Sequence, residues 1–161
     1  MRRKTLEERL EKYLPNKSMQ LWRLSNYRAK TRLQSKVIEL LEQPHAYFIT
    51  FTIAPKHHGL KLNTYIRKVK EALRETSDYV ANEDYGNLNG RYHIHALACF
   101  SEQYDYTIKP NTFEKIWQYG IIHFEPIYKR NDEALSNYMN KLSQHATKET
   151  AHKIIYGRKK Q

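Results

Sequence analysis

DYVANEDYGNLNGRYHIHALACF, residues 78–100, reads as two strands folded about a turn. Asp78 to Asp84 forms the first strand candidate, and Gly86, Asn87, Asn89 and Gly90 supply the turn. Arg91 to Phe100 alternates as the returning strand. Working outward, residues 46–53 (AYFITFTI) are rich in β-branched and aromatic side chains and predict a central strand with Tyr47, Ile49, Phe51 and Ile53 on one face. Between the two lies a helix over 61–76, with Leu62, Ile66, Val69 and Leu73 as its inner stripe, after a loop holding Pro55 and Gly59. Beyond the hairpin, a helix over 111–119 ends at Gly120, a strand runs over 121–128 and a helix over 132–146. Upstream, residues 4–13 and 18–42 read as helix, with Leu33, Val37, Leu40 and Leu41 at helical spacing and Pro44 as the stop. The order strand, helix, strand, strand, helix, strand, helix is of the split β-α-β type. It predicts an α+β fold whose antiparallel sheet carries helices on one face and leaves the other to a ligand.

Composition bounds the function. The chain has 161 residues, enough for one domain, and 40% hydrophobic residues, enough for a core. Its single cysteine, Cys99, excludes an intrachain disulfide and any zinc site built on several cysteines. No apolar run is long enough to cross a bilayer, and the first residues lead into charged sequence, so the expectation is a soluble protein with no membrane partner, in the cytoplasm, or in the cytoplasm or nucleus of a host cell. The net charge of +11 is uneven: residues 1–43 carry eleven Lys/Arg against five Asp/Glu, and residues 148–161 carry five against one. The division that follows is a basic helical extension over 1–43, a domain over 44–147 and a basic tail over 148–161. Basic arms flanking a near-neutral body suit a polyanion, because each cation placed on a phosphate releases a condensed counterion. A solvated cationic surface is the plainer explanation of the same numbers.

The chemistry sits in His93-Ile94-His95. Residues two apart on a strand share a face, so both imidazoles can serve one divalent cation while Ile94 points to the core. Phosphoryl chemistry also needs a hard oxygen donor, and the facing arm of the hairpin offers Asp84, the preferred third ligand, with Glu83 as the fallback. A His-x-His pair alone is equally what two core-edge histidines produce. On the last helix, Tyr138 and Lys141 are three apart and share a face. A phenol attacks phosphorus if a cation stabilises or orients its oxygen, and a phosphotyrosine conserves the bond energy for resealing. Alone, a Tyr-x-x-Lys pair is also what a helix with one core aromatic and one solvated lysine gives.

Taken in order, these motifs resemble the HUH endonuclease superfamily, and within it the rolling-circle replication initiators (Rep proteins) of small single-stranded-DNA phages, plasmids and viruses. Tyr47 to Ile53 resembles the first motif, His93-Ile94-His95 the paired histidines, and Tyr138 with Lys141 the third motif. Glu83-Asp84-Tyr85-Gly86 and Asn89-Gly90-Arg91-Tyr92-His93 are similar to the lead-in found in phage initiators. The resemblance covers roughly residues 45–146. It implies a ferredoxin-like HUH nuclease fold, Mg²⁺ or Mn²⁺ as cofactor, single-stranded DNA or an origin hairpin as substrate, and nicking by Tyr138 to give a 5′-phosphotyrosine and a 3′-hydroxyl. Two departures stand out: Asp84 replaces the usual glutamate, and Leu142 stands where a second tyrosine would be, which implies a single nucleophile. With no Gly-x-x-x-x-Gly-Lys loop in the sequence, unwinding falls to a host helicase and synthesis to a host polymerase.

Arg91, Arg23, Arg28 and Lys30 are the candidate DNA contacts, the last three interleaved with Trp22 and Tyr27 as on a single-strand surface; helix packing accounts for the aromatics equally well. His57-His58 reads as a solvated pair, His123 as packed or DNA-facing, and His145 as a residue one turn beyond Lys141. Tyr156 is a poor nucleophile candidate, with no lysine three positions on. The rival readings are a single-tyrosine HUH transposase and a non-catalytic DNA-binding module.

Overall fold

The computed structural model describes residues 17–85, 92–143 and 154–157, with side chains undescribed for 17–26, Leu62, Asp84, Tyr85, Tyr92 and Ser143. The elements are α1 (Lys17–Leu41), β1 (Ala46–Thr52), α2 (Leu62–Ala72), β2 (Asp78–Tyr85), β3 (Tyr92–Cys99), α3 (Thr112–Ile116), β4 (Ile122–Pro126), α4 (Asp132–Ser143) and β5 (Ile155–Tyr156). They form an α+β fold around one sheet of order β4-β1-β3-β2-β5, in which each neighbouring pair is antiparallel. β1 and β2 are separated by β3, which returns between them, as the split β-α-β order requires. The expected helix over 4–13, the turn at 86–90, Arg91 and His145 lie outside the described residues.

β1 is apolar on both faces because both are covered. Tyr47, Ile49 and Phe51 join Ala81, Ile94, Ala96 and Ala98 in a core closed by α2 and α3. Ala46 and Phe48 join Val80, Leu97 and Cys99 in a second core, closed by α1 and α4. The expectation of a sheet with one open face is therefore corrected. Leu33, Val37, Leu40 and Leu41 of α1, and Ala134, Tyr138, Met139 and Leu142 of α4, are apolar stripes that stay out of water only by lying on that second face. Each fully buried aliphatic side chain contributes about 1.5–3 kcal/mol, so the basic N-terminal helix belongs to the body of the fold from Leu33 onward. Lys36 anchors it further, with Nζ 2.7 Å from both carboxylate oxygens of Asp78 on β2.

The remaining differences from the sequence reading are local. Among the described side chains of α2, Tyr65, Val69 and Ala72 are the buried stripe and Ile66 is half-buried, a rotation toward the tyrosine side of the expected stripe. α3 is shorter than 111–119. A capping box starts it, with Glu114 N–H donating to Asn111 Oδ1 at 3.0 Å and Asn111 N–H to Glu114 Oε2 at 3.3 Å. From Trp117 the chain turns extended and runs beside β1: Thr52 N–H donates to Ile121 O at 2.9 Å and Ala54 N–H to Tyr119 O at 2.8 Å. Gly120 permits that approach, because a Cβ there would stand 2.0 Å from Thr52 O. The basic tail also contributes structure: Ile155–Tyr156 pairs with Val80 and Ala81 of β2, and Arg32 of α1 lies 4.0 Å from the centre of the Tyr156 ring.

Candidate active site

Ladder register decides which side chains can meet. Across β1–β3, Thr50 pairs with His95 and Thr52 with His93; across β2–β3, Asn82 pairs with His95 and Asp84 with His93; across β1–β4, Thr50 pairs with His123 and Phe48 with Glu125. Directly paired residues share a face of a sheet. One face thus presents His93 and His95, flanked by Thr50 and Phe48, with His123 and Glu125 exposed on the edge strand beyond. Asp84 occupies the register position opposite His93. Glu83 pairs with Ile94, which is packed in the other core, and Glu83 itself is buried. Of the two acids read from the sequence, only Asp84 is registered with a histidine of the pair.

His93 and His95 are both half-buried, their rings 5.9 Å apart between centroids and tilted by 22°. Thr50 Oγ1 lies 3.2 Å from His95 Nδ1, which fixes the rotation of that imidazole. Among the described residues no group of three or more His, Cys, Asp or Glu side chains is gathered to hold a metal. Asp84's side chain is outside that set.

Tyr138 is carried to this face by α4. Asn131 Oδ1 accepts from Ala134 N–H at 3.0 Å and so caps the start of the helix. At the other end, the Asn82 amide on β2 donates to Leu142 O at 2.6 Å in a buried contact, and Asn82 is the residue paired with His95. The helix is therefore tied by its last turn to the rung that holds the histidine. Tyr138 stacks on Phe48 with centroids 5.1 Å apart and rings at 28°, and the opposite neighbour of Phe48 is His95 at 5.2 Å. Phe48 joins the phenol to the imidazole pair. The phenol is only 5% exposed, and burial raises its pKa above 10.0, with Glu125 pushing the same way and Arg130 opposing. Lys141 Nζ sits over the rings of Phe48 and Tyr138, 4.9 and 5.9 Å from their centres, where it makes a cation–π contact. Arg130 is already committed, donating to the carbonyls of Leu41, Gln43 and Pro44 that end α1 and the turn after it.

Of the candidate DNA contacts, Arg28 and Lys30 are exposed on α1 and Tyr27 beside them is 70% exposed, so packing does not account for that aromatic. The side chains of Arg23 and Trp22, and the whole of Arg91, lie outside the described residues. His58 is engaged structurally, with Nε2 2.9 Å from Ile53 O, and His57 sets its ring edgewise on Tyr119 at 5.7 Å. The sequence reading missed Phe48, Thr50, Asn82 and Glu125. Phe48 and Thr50 sat in plain view at alternate positions of β1, on the face opposite the one whose hydrophobic run attracted notice.

No curated protein matches the chain. The crystal structure of the hypothetical protein ORF119 from Sulfolobus islandicus rod-shaped virus 1 is similar to it at 16% identity and a TM-score of 0.49, over 71% of this chain and 94% of that one. The replication-associated protein ORF2 family matches residues 46–143, which run from the first residue of β1 to the last of α4 and so include the histidine pair, Tyr138 and Lys141. That match spans more than half of the sequence, and the chain belongs to this family of replication-associated proteins.

Proposed function

We propose that this replication-associated protein initiates rolling-circle replication as a metal-dependent endonuclease that nicks and rejoins single-stranded DNA through Tyr138. The observation that carries the reading is the placement of Phe48, whose ring touches Tyr138 on one side and His95 on the other. A nucleophile and an imidazole pair, 43 residues apart in sequence, thereby occupy one surface.

The residues present suit a divalent cation, Mg²⁺ or Mn²⁺. His93 and His95 supply nitrogen, and the register position opposite His93 supplies a carboxylate in Asp84, whereas Glu83 belongs to the opposite face. When bound, such an ion polarises a non-bridging oxygen of the scissile phosphate. The chain's own residues do the rest. With Thr50 at its Nδ1, His95 is oriented to use Nε2 as the ligating nitrogen. Tyr138 Oη attacks phosphorus, the bond to the 3′-oxygen breaks, and the products are a 5′-phosphotyrosine and a 3′-hydroxyl that primes synthesis. Lys141 orients the phenol from above the ring stack and places positive charge near the incoming phosphate. Arg28 and Lys30, with Tyr27 between cations, hold the flanking strand, joined by Arg23 and Arg91. A host polymerase and helicase complete the reaction.

The test is incubation of the protein with labelled single-stranded hairpin oligonucleotides in Mn²⁺ or in EDTA. A covalent protein–DNA adduct should form with Mn²⁺ and fail with EDTA. Tyr138→Phe should abolish it while DNA binding persists. An adduct that survives Tyr138→Phe, or binding with no nicking in any metal, rejects the assignment; the second result would leave a non-catalytic DNA-binding module.

A further inference from the structure

A buried phenol with a raised pKa is a poor nucleophile until its proton has somewhere to go. Neither imidazole meets the need while both serve a metal, and Lys141, a cation, cannot accept a proton. The charged groups around Tyr138 are Arg130 from the β4–α4 loop, Lys141 from α4 itself and Glu125 from β4, with His95 beyond the Phe48 ring. Arg130 is occupied by the carbonyls at the end of α1. Glu125 is different. It is exposed, it is registered directly opposite Phe48, and Phe48 is the residue on which Tyr138 stacks. Residues paired across a ladder have Cβ atoms about 5 Å apart. The carboxylate therefore stands beside the ring stack on the solvent side, within one rotamer change or one bridging water of the phenol.

Resting on the nicking reading above, we propose that Glu125 is the proton acceptor for Tyr138. In the cleavage step the Oη–H proton passes to a carboxylate oxygen of Glu125, and the Oη lone pair forms the bond to phosphorus. The bond between phosphorus and the 3′-oxygen breaks with its electron pair left on that oxygen, which takes a proton from water. The hydroxide so formed is neutralised as Glu125 releases its proton. Rejoining runs the same transfers backward. Glu125 also accounts for part of the electrostatic field that keeps the phenol protonated at rest, so its negative charge and its acceptor role act on the same atom.

The experiment measures single-turnover adduct formation on a labelled single-stranded hairpin for the native protein, Glu125→Gln and Glu125→Asp, from pH 7 to pH 10, with DNA binding followed in parallel. Glu125→Gln should slow adduct formation by about 100-fold at pH 7 with binding unchanged, and Glu125→Asp should restore part of the rate. The deficit should shrink as pH rises, because hydroxide then removes the proton. A second readout needs no activity: the phenolate absorbance assigned to Tyr138, by difference from Tyr138→Phe, should appear at lower pH in Glu125→Gln. A native rate in Glu125→Gln, a deficit that stays constant across pH, or an unmoved phenolate band each overturns the role of Glu125 while leaving the nicking reading intact. Absence of any adduct from the native protein overturns both.

Discussion

Cys99 shows how placement decides the chemistry of a single side chain. It lies at the end of β3 in the second core, 1% exposed, with Sγ 3.4 Å from Leu40 O, and burial pushes its thiol up to about 12. The thiolate is the reactive form, so the native protein should not react with a thiol reagent at pH 8, and one equivalent should react after unfolding. Rapid labelling of the folded protein would show that α1 does not cover β3 as described. Tyr138 is a second residue shaped this way. Its identity as a candidate nucleophile was legible in the Tyr-x-x-Lys spacing, but its burial, its stack on Phe48 and its electrostatic neighbour Glu125 depend on residues far away in sequence.

Among the elements, β1 and the segment after α3 are coupled through a position that tolerates no side chain. Gly120 lets residues 119–121 lie along β1, which also fixes Trp117, whose indole Nε1 donates to Thr52 O at 3.2 Å. Gly120→Ala forces a Cβ against the Thr52 carbonyl, and the strand or the loop must shift. The expected loss is about 3 kcal/mol, read as a lower urea midpoint with an unchanged slope. A neutral result would mean that the loop can lift away from β1 at no cost. α4 shows the complementary device. Its stripe of Ala134, Tyr138, Met139 and Leu142 was readable by period, yet the buried Asn82 contact that fixes its last turn over the sheet was not, because nothing local marks an asparagine on a strand as the partner of a helix carbonyl.

For the molecule as a whole, buried acids that ionise only at high pH set the alkaline limit of stability. Burial raises Tyr79, Tyr104, Tyr138 and Tyr156 above 10.0 and Cys99 above 9.0. Each group is protonated in both states at neutral pH and contributes no pH dependence there. Above pH 9 the unfolded chain gives up these protons first and binds fewer than the native state, so stability falls as pH rises. Melting temperature should be flat between about pH 7 and 8.5 and decline steadily above pH 9; a rise in that range would contradict the burial of these groups. Charge acts at this scale too. The excess of Lys and Arg toward both ends predicted a polyanion partner, and the fold brings parts of those ends side by side, with Tyr156 of the tail under Arg32 of α1.

The sequence by itself determined the order of elements, the alternation that puts His93 and His95 on one face and the helical spacing of Tyr138 and Lys141, because periods of two and of about three and a half residues are local properties of the backbone. Tertiary structure decided the remainder. Helix α1 closes a face that the local pattern left open, Asp84 and Glu83 fall on different sides only once β2 is registered against β3, and Glu125 comes to stand beside Phe48 only through the pairing of β4 with β1. Register and packing are set by pairings between distant segments, and a one-residue slip would exchange the faces of every side chain on a strand.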